Sequence, residues 1–398
     1  MTTHAAGAEV PVESWRTQMK ETFFINGPAP ELAPQTHRSF KPAPGVRAEA
    51  VTYGTQFGLR VPAIVYLPDA PLKAKKSPAF IVVNGHGGDK FSWYAFYTGI
   101  LYARAGAVVL TYDPTGEGER NSKRLSGTRA HDAIKGDAIL ARRQAGLMLT
   151  DVMQAVSYLA QRPEVDASRI GAGGYSMGSF VVALAGAIEP RLKVCVEVGG
   201  GNLDGPGEYW DKSKPMCQGL PYQALSFLGD RAAAIYTLHA ARGSTLLFNG
   251  REDTVVNMQN TQEPFFNDLR QRVIAMRGNA DGVFDFQIVD GASHRPFFVT
   301  RPVALWLEKH LDLPAWTQED IEKLPECKIA DWAQQHGIAM DKLYAVDQRE
   351  GGTPALLNDV PGYQRGDLAV FSEAEWLQRR DTMILESWLA KARAASVP

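Results

Sequence analysis

The stretch Arg169-Ile170-Gly171-Ala172-Gly173-Gly174-Tyr175-Ser176-Met177-Gly178-Ser179 decides how the rest of this chain is read. It reads as a short buried strand, a tight turn and the start of a helix, with Gly174-Tyr175-Ser176-Met177-Gly178 at the turn. That is the G-x-S-x-G pattern of a nucleophile elbow. A serine at the tip of a strained strand-to-helix turn needs neighbours without side chains, because those would collide with adjacent backbone. The following segment, Ser179 to Ile188, is small and apolar and predicts a helix packed under a sheet. Its N-terminus would aim a positive dipole at the serine, where negative charge develops during acyl transfer. Glycine and serine are common in loops, so the partners of Ser176 must come from elsewhere in the chain.

Composition sets the frame. The chain has 398 residues, 45% of them hydrophobic and 22% charged, with a net charge of -2. That is a globular composition, long enough for one large α/β domain with insertions or for two domains. A balance so close to neutral gives no argument for nucleic acid or an anionic membrane as partner. Apolar runs such as Val181 to Ile188 are far too short to span a bilayer. The N-terminal residues lack a basic region followed by an apolar core, so the expectation is a cytoplasmic chain as written. A secreted or periplasmic chain is the expectation if the natural start lies further upstream. Three cysteines make no disulfide framework: Cys195 reads as core, and Cys217 and Cys327 as free thiols, a bridge between them being the alternative. No CxxC, HExxH or His-rich tract points to a metal, and no cofactor is expected.

Working outward from the elbow, apolar runs alternate with helical patterns. Ala79 to Asn84 reads as a buried strand ending in Gly85-His86-Gly87-Gly88, and Ala107 to Tyr112 as the next, ending in Asp113-Pro114-Thr115-Gly116-Glu117-Gly118. A long amphipathic helix lies between Gly127 and Gln161, with Leu147, Val152, Val156 and Leu159 on one side. Strands are predicted at 192–198, 244–249 and 284–289, and an earlier hairpin at 48–53 and 59–67. This alternation predicts a mostly parallel sheet with helices on both faces. Residues 1–46, Pro-rich and weakly patterned, read as a lead-in wrapped over a catalytic domain at 47–315. Residues 316–398 read as a C-terminal extension ending in one amphipathic helix from Glu373 to Ala394. Between 199 and 242 the alternation is interrupted. That insertion carries Tyr209, Trp210, Tyr222 and Phe227 at the carboxyl end of a strand, where it would cap a site; the alternative is a helical pair burying its own aromatics.

Two further residues fall just past strand ends, where open α/β sheets place their ligands. Asp253 follows the 244–249 strand and His294 the 284–289 strand. Chemically, His294 would take the proton of Ser176 while Asp253 fixes the imidazole tautomer and stabilises the imidazolium. The rivals are weaker. His239 and His310 fall in helices, His131 sits in a loop that could reach the pocket but not from the base position, and Glu252 and Glu197 are alternate acids, the latter needing a partner if buried. An oxyanion hole would take the amide of Met177 and one from the loop after the 79–84 strand, Gly87 before Gly88. His86 braces that loop in this reading, with Tyr175, Tyr209 and Trp210 as further candidate substrate contacts. Asp113 and Arg120 read as loop scaffolding.

The His86-Gly87-Gly88 strand end, the Asp113-x-x-Gly116-x-Gly118 turn and Pro163-Glu164-Val165-Asp166-x-x-Arg169-Ile170-Gly171 leading into the elbow resemble the α/β-hydrolase superfamily. The chain order Ser176, Asp253, His294 is the one that arrangement requires. Within it the chain looks most like the acetyl xylan esterase, dienelactone hydrolase and prolyl-oligopeptidase-like branch, over roughly 47–313. The resemblance implies a cofactor-free serine hydrolase acting through an acyl-enzyme on a short, often acetyl, ester of a small molecule or carbohydrate. A carbon–carbon, lactone or amide hydrolase with the same groups is the alternative, and a non-catalytic binding protein a third. The insertion and the tail have no counterpart in the branch, so the substrate is not carried over. No propeller-like repeat precedes the hydrolase region, which argues against an oligopeptidase.

Overall fold

The computed structural model describes residues 10–70, 76–134, 136–206, 217–240, 242–278, 281–294, 298–324, 333–334, 337, 352–355 and 358–395. Nine strands form one sheet: β1 (Gln35–Ala43), β2 (Val46–Gly54), β3 (Arg60–Pro68), β4 (Ser77–Val83), β5 (Val108–Tyr112), β6 (Val165–Tyr175), β7 (Leu192–Val198), β8 (Ser244–Gly250) and β9 (Phe284–Val289). Their order is β1-β2-β3-β5-β4-β6-β7-β8-β9. The first three strands run antiparallel to their neighbours, and β5, β4, β6, β7, β8 and β9 are mutually parallel.

Parallel strands are covered on both faces and therefore read as continuous apolar runs. Every residue of β4 is buried, and so is every residue of β7 except Lys193. Alternate side chains enter opposite cores. Ile81, Cys195 and Leu247 join one core with Val152 of α3 (Ala138–Ala160), Val181 of α4 (Met177–Ile188) and Ile235 of α6 (Arg231–Ala240). Phe80, Val82 and Val196 join the other with Ile100 of α2 (Trp93–Arg104) and Val303 and Leu307 of α8 (Arg301–Leu311). The result is the mostly parallel sheet with helices on both faces that the sequence predicts. No helix among the described residues is long and apolar enough to cross a membrane.

Three segments differ from the expectations. Residues before 47 are not merely a lead-in: they form α1 (Val12–Thr22) and the outermost strand β1. Arg16 of α1 is buried and donates to the carbonyls of Ala187 (2.9 Å) and Leu238 (2.6 Å), at the carboxyl ends of α4 and α6. Unspent carbonyls and dipole there favour a cation, which explains why the helix docks. Second, the helical part of the 199–242 insertion is divided into α5 (Gly219–Gln223) and α6, with Gly229 at φ 72° between them. Helix α6 packs beside α4 and α7 (Glu263–Arg277) in the layer covering the sheet, so it is no cap. Tyr222 is wholly buried, its ring 6.0 Å from that of Phe180 and under the Arg231 guanidinium. Residues 207–216, with Tyr209 and Trp210, lie outside the described residues. Third, the final helix is broken into Glu373–Arg379 and Leu385–Ala394. Two tryptophans anchor the pieces to different places, Trp376 donating to the Glu119 carbonyl (3.0 Å) and Trp388 to the Gln56 side chain (3.1 Å).

Candidate active site

The carboxyl ends of β4, β6, β7, β8 and β9 share one edge of the sheet, and the candidate residues gather there. Ser176 joins β6 to α4 with φ 55° and ψ -116°, a conformation that L residues rarely hold without a surrounding structure that enforces it. The enforcement is visible in the flanking glycines. A Cβ on Gly174 would lie 2.1 Å from the Gly178 carbonyl oxygen, and one on Gly178 2.2 Å from that of Val83. Only hydrogen fits at either place. The turn is further tied by the Ser176 amide donating to the Val198 carbonyl (2.9 Å) and by the Ser179 hydroxyl donating to the Ser176 carbonyl (2.6 Å).

Asp253 is fully buried past the end of β8. Its Oδ1 accepts from the amides of Val255 (2.8 Å) and Val256 (3.2 Å), which leaves Oδ2 for His294 Nδ1 at 2.6 Å. The His294 ring lies on Tyr175, the residue before Ser176, at 4.8 Å between centroids. Gly199 makes room for it, since a Cβ there would come within 3.1 Å of the imidazole. The Asn249 side chain clasps the adjoining loop by accepting from the Gly200 amide (2.8 Å) and donating to its carbonyl (2.9 Å). Ser176, Asp253 and His294 are thus brought to one place by three strand ends.

The rival residues go elsewhere. Glu252 accepts from the Gly291 amide (2.8 Å), away from His294. Glu197 is buried in β7 against the Tyr236 hydroxyl (2.9 Å), and burial pushes its carboxyl up to about 8. His239 is core, bonded to Thr245 Oγ1 (2.6 Å), with Cys195 Sγ 3.6 Å from its ring. Asp113 and Arg120 are scaffolding: Lys90, itself fully buried, pairs with both Asp113 and Glu119, and Arg120 pairs with Asp151. A cavity of about 760 Å³ lined by Phe24, Pro28, Gln56, Arg60, Arg143 and Gln154 contains none of the candidate residues. We place the chemistry at the elbow rather than there, because a strained serine and a buried hydrogen-bonded carboxylate–imidazole pair coincide at the elbow.

Helix α4 opens at Met177 without a side-chain cap, which leaves its first amides available to a ligand. In the loop after β4 the Gly88 amide is already engaged by the Gly85 carbonyl (3.1 Å), and Gly87 has φ 75°. A Cβ on Gly85 would sit 3.0 Å from Ser176 Cβ, so this loop passes directly beside the serine.

A second group of side chains adjoins this loop. The rings of His86 and His131 stack at 5.1 Å, Asp132 Oδ1 is 3.5 Å from His86 Nε2, and Cys217 Sγ is also 3.5 Å from that nitrogen. Burial, with the His86 charge next, pushes His131 down to about 3. Asp132 moves the other way from what burial dictates: the His86 hydrogen bond and the nearby cationic groups hold its carboxyl well below the usual range. Burial, then Asp132, pushes the Cys217 thiol up. Cys217 is a free thiol; Cys327 lies outside the described residues. Sequence pattern does not join these four. Only adjacent His131 and Asp132, in a loop past a strand end, give a local signal.

A serine elbow on the carboxyl edge of such a sheet, with an Asp–His pair from the next strand ends, is the arrangement of the α/β-hydrolase fold. The profile of the Prolyl oligopeptidase family matches residues 90–323, more than half of the chain, which therefore belongs to that family. Among curated relatives, the α/β hydrolase psoB of Aspergillus fumigatus is 28% identical over 352 residues, 84% of this chain and 68% of that protein. The hydrolase-named YtaP of Bacillus subtilis is 32% identical over 93 residues, 23% of this chain, so the match spans only 29% of that relative. Among solved structures, the methylesterase BT1017 superposes with a TM-score of 0.60 at 19% identity, covering 96% of this chain and 74% of the other, which shows a common fold.

Proposed function

We propose that the protein is a serine carboxylesterase that removes a short acyl group, acetyl foremost, from a small-molecule or carbohydrate ester. The observation that carries this reading is the 2.6 Å Asp253–His294 pair packed on the residue before a serine held at φ 55°. His294 takes the Ser176 proton through Nε2 as Oγ bonds to the ester carbonyl carbon. The oxyanion that forms is met by the Met177 and Gly87 amides, with the positive end of α4 behind them. Collapse breaks the carbon–oxygen bond, and His294 returns its proton to the departing alcohol. Water, deprotonated by the same imidazole, then releases the acid and restores the serine. Asp253 holds Nδ1–H throughout and offsets the imidazolium charge.

A short acyl group is favoured because the insertion closes in on the elbow. Cys217 is buried with Sγ 4.0 Å from Met177 Sδ and 3.5 Å from the His86 ring, so its thiol packs against side chains next to the proposed oxyanion amides. For the alcohol, Tyr209 and Trp210 stay proposed as sugar-stacking residues on sequence alone. Hydrolysis of p-nitrophenyl esters from acetate to octanoate, with Ser176→Ala in parallel, tests the reading. Turnover greatest on acetate and absent from the variant is expected; turnover that grows with chain length overturns the short-acyl assignment, and equal rates in both proteins overturn the esterase.

A further inference from the structure

We propose that His86, His131, Asp132 and Cys217 form a zinc site that ties the loop after β4 to the 129–134 segment and to the insertion. One ligand atom from each of the four lies within 4.8 Å of all the others. Tetrahedral zinc with bonds of about 2.0–2.3 Å holds its donor atoms about 3.3–3.8 Å apart. The measured spans are 3.5 Å from Cys217 Sγ to His86 Nε2, 3.5 Å from His86 Nε2 to Asp132 Oδ1 and 4.0 Å from Asp132 Oδ1 to His131 Nε2. The remaining pairs lie within 4.8 Å, so coordination requires the side chains to close by up to about 1–1.5 Å.

Hydrogen bonding alone does not account for the group. Cys217 and Asp132 approach the same nitrogen of His86 and also meet each other, which leaves His131 outside that set. A Cys–His–Asp relay would use opposite ring nitrogens, whereas here both groups approach one nitrogen, and the four donor atoms cluster within 4.8 Å. His131 is fully buried, and among the described residues its ring nitrogens make no well-aligned hydrogen bond, the Thr115 backbone being a weak partner. Buried polar atoms left this way are costly, and a cation at the centre engages all of them at once.

Charge and donor type select the metal. One carboxylate and one thiolate neutralise a divalent ion, which suits a buried place, and a mixed set of two imidazoles, one sulfur and one oxygen suits zinc over magnesium or calcium. The neutral thiol favoured by burial gives way once sulfur is bound, since coordination deprotonates it. Arg129 meets the other Asp132 oxygen, Oδ2, at 2.7 Å and so orients the carboxylate, as outer partners of metal ligands do. Four protein donors leave no open position, so the ion holds structure rather than activating water. Its consequence for the Gly87 amide rests on the hydrolase reading; its existence does not.

The full-length protein is stripped with chelator, reloaded with zinc, dialysed and assayed for metal, and reloaded in parallel with cobalt. About one zinc per chain is expected, together with a thiolate-to-cobalt charge-transfer band and the intense visible bands of four-coordinate cobalt. Cys217→Ser should lose the charge-transfer band and His131→Ala should lower zinc affinity at least tenfold. Ser176→Ala should keep both metal and spectrum while losing hydrolysis, which separates this proposal from the catalytic one. Background zinc and a six-coordinate cobalt spectrum in wild type overturn the site. So does a charge-transfer band that survives in Cys217→Ser, which would assign the metal to another cysteine.

Discussion

Replacing Glu197 with glutamine should remove part of the stability loss that the wild type suffers as pH rises from about 5.5 to about 8. The Glu197 carboxyl is fully buried in the middle of β7, and burial raises it from an ordinary 4.5 to about 8, opposed only by the Tyr236 hydroxyl. The hydrogen-bond pattern agrees. Tyr236 Oη is 2.9 Å from Glu197 Oε2 and 2.6 Å from the Gly201 carbonyl oxygen, yet it has one proton to give. Both bonds form when Tyr236 donates to Gly201 and a protonated Glu197 donates to Tyr236. A folded state that keeps its proton up to about pH 8 binds more protons than the unfolded chain above about pH 4.5, so unfolding free energy falls as pH rises between those values. At about 1.4 kcal/mol per unit, the loss from pH 5.5 to pH 8 is about 2–3 kcal/mol. Glutamine donates through its amide at every pH and escapes it. Urea unfolding of wild type and Glu197→Gln at several pH values measures the difference, and the contribution of Glu117, raised to about 7 chiefly by burial, cancels because both proteins share it. If the two curves stay parallel from pH 5.5 to pH 8, Glu197 is not a neutral acid in the fold.

Gly178→Ala places a Cβ 2.2 Å from the Val83 carbonyl oxygen and should destabilise by about 2–4 kcal/mol in urea unfolding, whereas Gly136→Ala, which meets nothing within 4 Å, should stay within about 0.5 kcal/mol of wild type. Arg120→Met strands the buried Asp151 carboxylate and should lose about 3–5 kcal/mol, much of it regained when Asp151→Leu is added; no regain would mean that the ion pair is not the cause. Asp253→Asn keeps the Val255 and Val256 amide contacts but reverses the tautomer demanded of His294, so kcat should fall about 10³–10⁴-fold with KM nearly unchanged, and a loss below tenfold would remove Asp253 from the proposed mechanism.

What the sequence discloses and what it conceals divide along physical lines. Strands such as 79–84 and 192–198 are legible because burial on both faces demands an unbroken apolar run, and the elbow is legible because its glycines answer to backbone collisions at 2.1 and 2.2 Å. Asp253 and His294 stand out by position, each just past a strand end. The β1 strand hides because it is an edge, half-exposed and carrying His37, Arg38 and Lys41, so it never reads as apolar. Helix α6 is mistaken for part of a cap because its role depends on α4 and α7, far off in sequence. Trp376 and Trp388 break the terminal helix through bonds to Glu119 and Gln56, partners that no local pattern reveals. The His86, His131, Asp132 and Cys217 cluster is likewise assembled only by tertiary folding, with Cys217 lying 131 residues from His86.

The central claim is that Ser176 is an activated nucleophile, and covalent labelling addresses it without knowledge of the substrate. Wild type treated with a fluorophosphonate probe, digested and mapped by mass spectrometry should carry one adduct, on Ser176, formed far more slowly in Asp253→Asn and absent from Ser176→Ala. A folded wild type that takes no label, or one labelled equally in Ser176→Ala, would contradict the account.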